Sequence, residues 1–352
     1  MTFDELIQRI AQATDPADLF GNEACTDAAA LRRCYLRLAA TLHPDRHPDR
    51  IAEATAAFQR LQHWRNEAHR RLQMSSAALH VTTRQHVYRC DELPLSGDLC
   101  DLFPSTAGSE RVVLKIVRNA RNNDLLQAEA DALRTFDREL NGQAVRAHFP
   151  SLLEDALLTD MAGTQRWTNI LRFASGAVTL DAVMRAYPQG LHPADAAWMF
   201  NRLLATLAIA HGLGLVHGAV IPPHVAIFPE DHNGMLFDWC YSVAPGELLK
   251  AVSPPYRALY PPEVLERRPV SPATDLFMAA RCMALLLGSD ASASRFPEVV
   301  PRSLQRLLRV CLIPAPHRRP SDAWAVFDDL QTLLRAHYGP PQFRPFVMPA
   351  SR

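Results

Sequence analysis

The segment VVLKIV, residues 112–117, places a lysine in the middle of an apolar strand. Side chains alternate between the two faces of a strand, so Val113, Lys115 and Val117 share one face. A buried ammonium group is costly unless it is paired, and without a partner it loses its proton. Lysine is rare here, since Lys115 and Lys250 are the only lysines in the chain. A fold that buries Lys115 must therefore supply a carboxylate beside it.

The segment DLLQAEADAL, residues 124–133, supplies such a carboxylate. Glu129 follows Leu126 by three residues and precedes Leu133 by four, which places it on the apolar face of a predicted helix. Each buried charge is unfavourable alone, whereas the two together form an ion pair. We therefore predict that Lys115 pairs with Glu129.

Length and composition indicate two folded units. The chain has 352 residues, of which 48% are apolar and 21% charged, and its formal net charge of zero gives no reason to expect nucleic acid or a membrane as a partner. No segment approaches the roughly 20 apolar residues of a membrane span, and the amphipathic N-terminus does not resemble a signal peptide. Seven cysteines without a Cys-x-x-Cys pair indicate reduced thiols and no zinc site. We expect a cytoplasmic protein.

The first 74 residues predict a helical hairpin. Thr26 is the expected N-cap of a helix whose apolar residues recur at intervals of three and four, and a second helix is predicted over residues 51–72. The connecting loop, HPDRHPD, contains the tripeptide His-Pro-Asp twice. The solvent side of the first helix carries an arginine stripe, which consists of Arg32, Arg33 and Arg37.

This hairpin resembles the J-domain of DnaJ-type co-chaperones, and the segment YLRLAATLHPD, residues 35–45, carries the resemblance. Members of that family bind a DnaK-type chaperone through the tripeptide and the basic helix and accelerate its ATP hydrolysis. The resemblance assigns chaperone binding to His43, Pro44, Asp45 and the arginine stripe. The second tripeptide, residues 47–49, is expected to be an incidental repeat or an extension of this surface. A metal site built from the loop's histidines and aspartates is the alternative interpretation.

Residues 75–86 predict a linker, after which a β-rich half precedes a helical half, as in α+β folds. This order resembles the protein kinase fold over residues 87–338, with an N-lobe at about 87–173 and a C-lobe at about 178–338. The fold class is therefore a small all-α J-like domain followed by a two-lobed α+β domain. The proline-rich tail, residues 339–352, is either packed on the surface or held out for recognition.

The resemblance implies a role for each residue that matches a kinase motif. Lys115 and Glu129 match the pair that holds the ATP phosphates, Asp238 matches the metal-binding aspartate, and Gly97 lies in the phosphate loop. The matches to structural residues are His217 at the start of the catalytic loop, Asp275, which braces that loop, and the ion pair of Glu263 with Arg319.

Two positions depart from the kinase pattern. Ala219 occupies the place of the catalytic aspartate, and His224 occupies the place of the second metal ligand. Because a methyl group accepts no proton, we expect no ordinary phosphoryl transfer and interpret the domain as a pseudokinase. ATP with magnesium or manganese remains the candidate cofactor, with Asp238 and His224 as candidate metal ligands; haem, flavin and zinc are not expected. Alternatively, Lys115, Glu129 and Asp238 only neutralise one another in a folded core.

These observations favour a co-chaperone scaffold. The J-like module would recruit a DnaK-type chaperone, and the pseudokinase domain would bind a client protein of unknown identity. The competing interpretation is an atypical ATP-dependent protein kinase or nucleotidyl transferase that uses the kinase-like cleft. A purely structural assembly factor is the third.

Overall fold

A computed structural model describes residues 2–42, 46–74, 79–90, 92, 94–160, 162–290, 292–340 and 342–349. The chain forms two compact units. One contains Met1–Pro94 and Pro104–Glu110, and the other contains Leu95–Phe103 and Arg111–Arg352. Within the described ranges, every helix is too short or too polar to cross a membrane.

The first unit begins with four helices: α1 (Phe3–Gln12), α2 (Pro16–Phe20), α3 (Ala28–Leu42) and α4 (Ile51–Met74). Apolar side chains from all four form one core, in which Leu6, Leu31, Leu42 and Leu61 are fully buried. The predicted hairpin of two helices is therefore present as α3 and α4, with two further helices packed against it.

The cap of α3 differs from the prediction by one residue. The Asp27 carboxylate accepts hydrogen bonds from the backbone N–H groups of Ala29 and Ala30, both at 3.0 Å. Thr26 instead donates its hydroxyl to the carbonyl of Glu23 at 2.9 Å. Asp27 is the better cap because its carboxylate bonds two free N–H groups and adds a negative charge at the helix N-terminus.

The first tripeptide, His43, Pro44 and Asp45, lies outside the described residues. The second tripeptide packs against α1. The His47 ring stacks on Phe3 at a centroid distance of 3.7 Å and is 2.8 Å from the carbonyl of Thr41. This copy is thus a packing element that fixes the entry to α4, which the repeat in the sequence did not indicate.

Part of the predicted linker is a strand. Strand β1 (Leu79–Thr82) pairs antiparallel with β2 (Val87–Cys90), with Leu79 opposite Cys90. The side chains of β1 are mostly exposed, so they lack the alternation that identifies a strand in a sequence. Backbone pairing alone defines this strand.

The second unit contains both strands and helices. The strands are β3 (Leu95–Ser96), β6 (Leu152–Thr159), β7 (Gln165–Arg172), β8 (Val178–Thr179), β9 (Val225–Phe228) and β10 (Asn233–Leu236), while β4 (Cys100–Ala107) and β5 (Glu110–Val117) have residues in both units. The helices are α5 (Asn123–Glu139), α6 (Leu180–Ala186), α7 (Pro193–Gly212), α8 (Pro262–Leu265), α9 (Pro272–Leu286), α10 (Arg302–Cys311) and α11 (Ala323–Tyr338).

Two groups of antiparallel strands organise this unit. Strand β5 pairs with β7 and β7 with β6, and this register places Lys115 directly opposite Asn169. Strands β8, β9 and β10 form a second sheet. Helix α5 packs against β7, so its buried face meets the strand that carries Asn169.

A buried ion pair ties α8 to the segment before α11. The guanidinium of Arg319 donates to both carboxylate oxygens of Glu263, at 2.7 and 2.9 Å, and both residues are almost fully buried. Thr274, on α9, donates to the same carboxylate at 3.1 Å. Fork-to-fork pairs of this kind fix the relative placement of the elements that they join.

We expect Arg319→Met to lower the free energy of unfolding by about 3 to 5 kcal/mol, because it leaves the Glu263 carboxylate buried without its counter-charge. Urea unfolding measures this change. The exposed neighbour Arg318 is the matched control, and Arg318→Met should change stability by less than about 0.5 kcal/mol. Equal losses in the two variants would contradict a stabilising role for the pair.

Candidate functional site

The centre of the site is the Lys115 ammonium. Its Nζ donates to Glu129 Oε1 at 2.7 Å and to Asp238 Oδ1. Lys115 and Glu129 are fully buried, whereas the Asp238 side chain is 27% exposed. Burial alone would lower the pKa of Lys115, but the adjacent carboxylates outweigh burial and raise it well above the usual value. Lys115 on β5 and Glu129 on α5 thus form a buried ion pair, which lies next to the partly exposed carboxylate of Asp238.

Asn169 completes the buried network, and sequence reasoning missed it. Its amide donates to Glu129 Oε2 at 2.9 Å and to the carbonyl of Leu126 at 2.9 Å. Trp167 in turn donates its indole N–H to Asn169 Oδ1 at 3.1 Å. Both oxygens of Glu129 are therefore satisfied, as a buried carboxylate requires. The sequence does contain one indication of this role, since Asn169 is a polar residue within the strand segment TNILR, residues 168–172.

Asp238 has an unusual backbone. Its φ of 61° and ψ of 48° lie in the left-handed region, which side-chain-bearing residues seldom adopt. Burial would raise the pKa of this carboxyl, but the Lys115 ammonium and the His224 ring outweigh burial and hold the pKa well below its usual range. The carboxylate is therefore ionised. Its Oδ1 accepts a hydrogen bond from Lys115, and its Oδ2 lies near His224.

The other oxygen of Asp238 meets His224. His224 Nε2 lies 3.4 Å from Asp238 Oδ2, and His224 Nδ1 lies 2.8 Å from the carbonyl of Ala219. With Nδ1 on this carbonyl, the ring turns Nε2 toward the Asp238 carboxylate oxygen. A proton or a metal ion between these two atoms would bridge them. An imidazole and a carboxylate at this spacing suit one divalent ion, and this donor set favours manganese over magnesium.

A second group of potential metal ligands is occupied by the lysine itself. Glu129, Asp238 and Cys240 present one ligand atom each within 4.8 Å of one another. Lys115 Nζ contacts all three, at 3.7 Å from the Cys240 sulfur. Burial raises the pKa of the Cys240 thiol well above its usual value, so it stays protonated. The Lys115 ammonium therefore takes the place of a metal ion among Glu129, Asp238 and Cys240.

The catalytic-loop positions are built around Asp275. Its carboxylate accepts the backbone N–H groups of His217 at 2.7 Å and Gly218 at 2.8 Å, and His211 Nε2 lies at 3.0 Å. The turn of His217 and Gly218 is therefore braced from α9. At its centre, however, Ala219 is fully buried and offers only a methyl group. The braced turn therefore presents no proton acceptor at Ala219.

His217 is neutral and packs in an aromatic column. Its Nε2 donates to the carbonyl of Phe237 at 2.7 Å, and burial lowers the pKa of the ring to about 4. The rings of His217 and Trp239 are 4.8 Å apart, and Trp239 also meets Phe136 at 4.6 Å. Trp239 is fully buried and donates its indole N–H to Leu236 at 2.8 Å. The Trp239 side chain therefore has a packing role.

The predicted phosphate loop is tight and acidic. Gly97 donates its N–H to the carbonyl of Cys100 at 2.9 Å, and an added Cβ at Gly97 would come within 3.0 Å of that oxygen. The next residue, Asp98, accepts a hydrogen bond from the hydroxyl of the buried Ser253. Leu249 lies against Gly218, where an added Cβ would clash with its side chain. Two residues that follow Asp238 in the chain thus contact these turns: Ser253 bonds Asp98, and Leu249 packs on Gly218.

Comparison with known proteins identifies the fold of this framework. Neither a family model nor a curated protein matches the sequence. The crystal structure of the BubR1 kinase domain is similar to this chain, with a TM-score of 0.55 and 15% sequence identity, over 74% of this chain and 85% of that chain. At this level of identity the similarity shows the fold alone. The chain therefore contains a protein-kinase-like α+β fold.

We expect the stability of the protein to fall as the pH falls from 6.5 toward 4. A histidine in the unfolded chain titrates near pH 6.5, whereas the pKa of His217 is about 4 in the fold. Between these values the unfolded chain binds one more proton, so stability decreases by about 1.4 kcal/mol per pH unit from this group.

The slope of unfolding free energy against pH, measured by urea titration, should be shallower by that amount in His217→Gln. The exposed His317 provides the control, and His317→Gln should retain the slope of the parent protein. An unchanged slope in His217→Gln would show that this ring is not the group responsible.

Proposed function

We propose that the kinase-like unit is a nucleotide-binding pseudokinase and that the whole protein is a co-chaperone scaffold. One observation carries the proposal: the Lys115 ammonium is held between Glu129 and Asp238, while Ala219 offers no proton acceptor. These groups suit the binding of phosphates and a metal ion. They do not suit the activation of a substrate hydroxyl.

The exposure and backbone of Asp238 favour nucleotide binding over mutual neutralisation in a core. A residue with only a structural role gains nothing from a left-handed backbone, which costs on the order of 1 kcal/mol or more. It also gains nothing from keeping about a quarter of its carboxylate exposed beside His224. When bound, a metal ion would neutralise phosphate charge at Asp238 and His224, while Lys115 would hold the phosphates in place.

The helical part of the first unit supports the co-chaperone role. Arg32, Arg33 and Arg37 are exposed on α3, so a basic surface is available to an acidic partner. Helix α3 ends at Leu42, directly before the first tripeptide. We propose that this surface and tripeptide recruit a DnaK-type chaperone and that the kinase-like unit binds the client.

A second candidate function is transfer of a phosphoryl or nucleotidyl group by an atypical route. The pairing of His224 with Asp238 favours it, since the two can hold a reactive metal ion. Incubation with γ- or α-labelled ATP distinguishes the two functions. Label in protein that is lost in Asp238→Asn supports the transferase, and absence of label supports the scaffold.

We expect millimolar ATP with magnesium or manganese to stabilise the protein against thermal unfolding. A ligand at a hundred times its dissociation constant adds about 2.7 kcal/mol. The shift should disappear in Lys115→Ala and Asp238→Asn. Lys250→Ala is the matched control, because Lys250 is the other lysine and its side chain is 58% exposed. No shift in the parent protein would contradict nucleotide binding.

We expect the full-length protein to stimulate the ATPase of a DnaK-type chaperone. His43→Gln should abolish stimulation, and replacing the arginine stripe by alanine should weaken it. His47→Gln should lower stability, because it removes the stacking on Phe3, but it should retain stimulation. Equal loss of stimulation in His43→Gln and His47→Gln would contradict the assignment of the first tripeptide.

A further inference from the structure

A cavity of about 430 Å³ opens between α7, α11 and the chain that follows α11, away from Lys115 and Asp238. One face of α7 supplies Trp198 and Arg202, and one face of α11 supplies Phe327, Arg335 and Tyr338. His232 and Arg344 also line the wall. The volume is that of a site for a small organic molecule.

The charge of this wall is one-sided. It contains three arginines, Arg202, Arg335 and Arg344, and no acidic residue among the described residues that line it. Arg344 is paired outside the wall with Asp195 at 3.2 Å. Arg202 uses its Nε to bond the carbonyl of His232 at 2.7 Å, and neither Arg202 nor Arg335 has an ion pair within the described chain. The cavity therefore favours an anion.

The same wall carries polar atoms without partners. Across the described residues, six buried side-chain nitrogen or oxygen atoms lack a hydrogen bond, and three of them are Trp198 Nε1, Asn201 Oδ1 and His232 Nε2. His232 is 91% buried, and its ring also bonds the backbone of Arg344. Unpaired buried polar groups are unusual in folded proteins. These three atoms therefore have hydrogen-bonding capacity that the described residues leave unused.

Aromatic side chains supply the apolar part of the site. Trp198 stacks on His232 with ring centroids 4.2 Å apart and planes 4° apart, and Phe343 packs on His232 at 4.3 Å. Trp198, Phe327 and Tyr338 line the cavity itself. Rings of this kind favour a flat ligand, and guanidinium groups recognise carboxylate and phosphate through paired hydrogen bonds.

We propose that this cavity is a second binding site, which takes a small organic anion made of a planar ring with a carboxylate or phosphate group. Arg202 and Arg335 bind the anionic group, and the aromatic wall holds the ring. Lys115 and Asp238 do not line this cavity, so absence of anion binding here would not contradict the proposed function.

Calorimetric titration of the full chain with three probes tests this site. The probes are 2-naphthoate, 2-naphthyl phosphate and the uncharged 2-naphthamide, which share one ring system. We expect at least one anion to bind about tenfold more tightly than the amide, since hydrogen bonds to charged groups are the stronger ones. Comparison of the two affinities shows whether the site prefers a carboxylate or a phosphate group.

Two variants locate the bound probe. Arg335→Gln should weaken binding about tenfold, whereas Arg306→Gln, at an exposed arginine of α10 outside the cavity wall, should leave it unchanged. Arg335 is exposed, so its replacement should not impair folding. Binding of neither anion, equal binding of the amide, or weakening by Arg306→Gln as large as that by Arg335→Gln would overturn the proposal.

Discussion

The buried ammonium of Lys115 constrains the rest of the kinase-like unit. A charge at that depth is tolerated only with carboxylates in direct contact, so α5 must present Glu129 to β5 and the chain must return with Asp238. Phe136 lies two helical turns after Glu129 on the same face of α5, and it packs on Trp239, the residue after Asp238. A charge contact and an aromatic contact therefore fix the same helix against the same segment.

A buried carboxylate, Asp275, and a buried imidazole, His217, hold the turn that contains Ala219. Asp275 holds the backbone of the loop and His217 packs beneath it, yet the loop presents Ala219 at its centre. The charged cluster of Lys115, Glu129 and Asp238 is partly exposed at Asp238, where the His224 imidazole lies 3.4 Å from the carboxylate.

Periodicity in the sequence was sufficient to place Lys115 and Glu129 on facing surfaces, because a buried charge in an apolar pattern is conspicuous. Asn169 was missed because its contact with Glu129 spans 40 residues, and no local pattern reports a contact at that separation. The contact of Asp98 with Ser253 spans 155 residues and was missed for the same reason. Strand β1 was assigned to a linker because its side chains are exposed, so it depends on pairing with β2 rather than on burial.

The scarcity of lysine makes the role of Lys115 directly measurable. In protein labelled with ¹⁵N only at lysine side chains, NMR shows two signals, from Lys115 and Lys250, and Lys115→Arg assigns them. If Lys115 is a working phosphate ligand, saturating ATP with magnesium or manganese shifts its signal and leaves that of Lys250 in place. A Lys115 signal that does not move would show that the cluster only neutralises itself, and it would contradict nucleotide binding at this cleft.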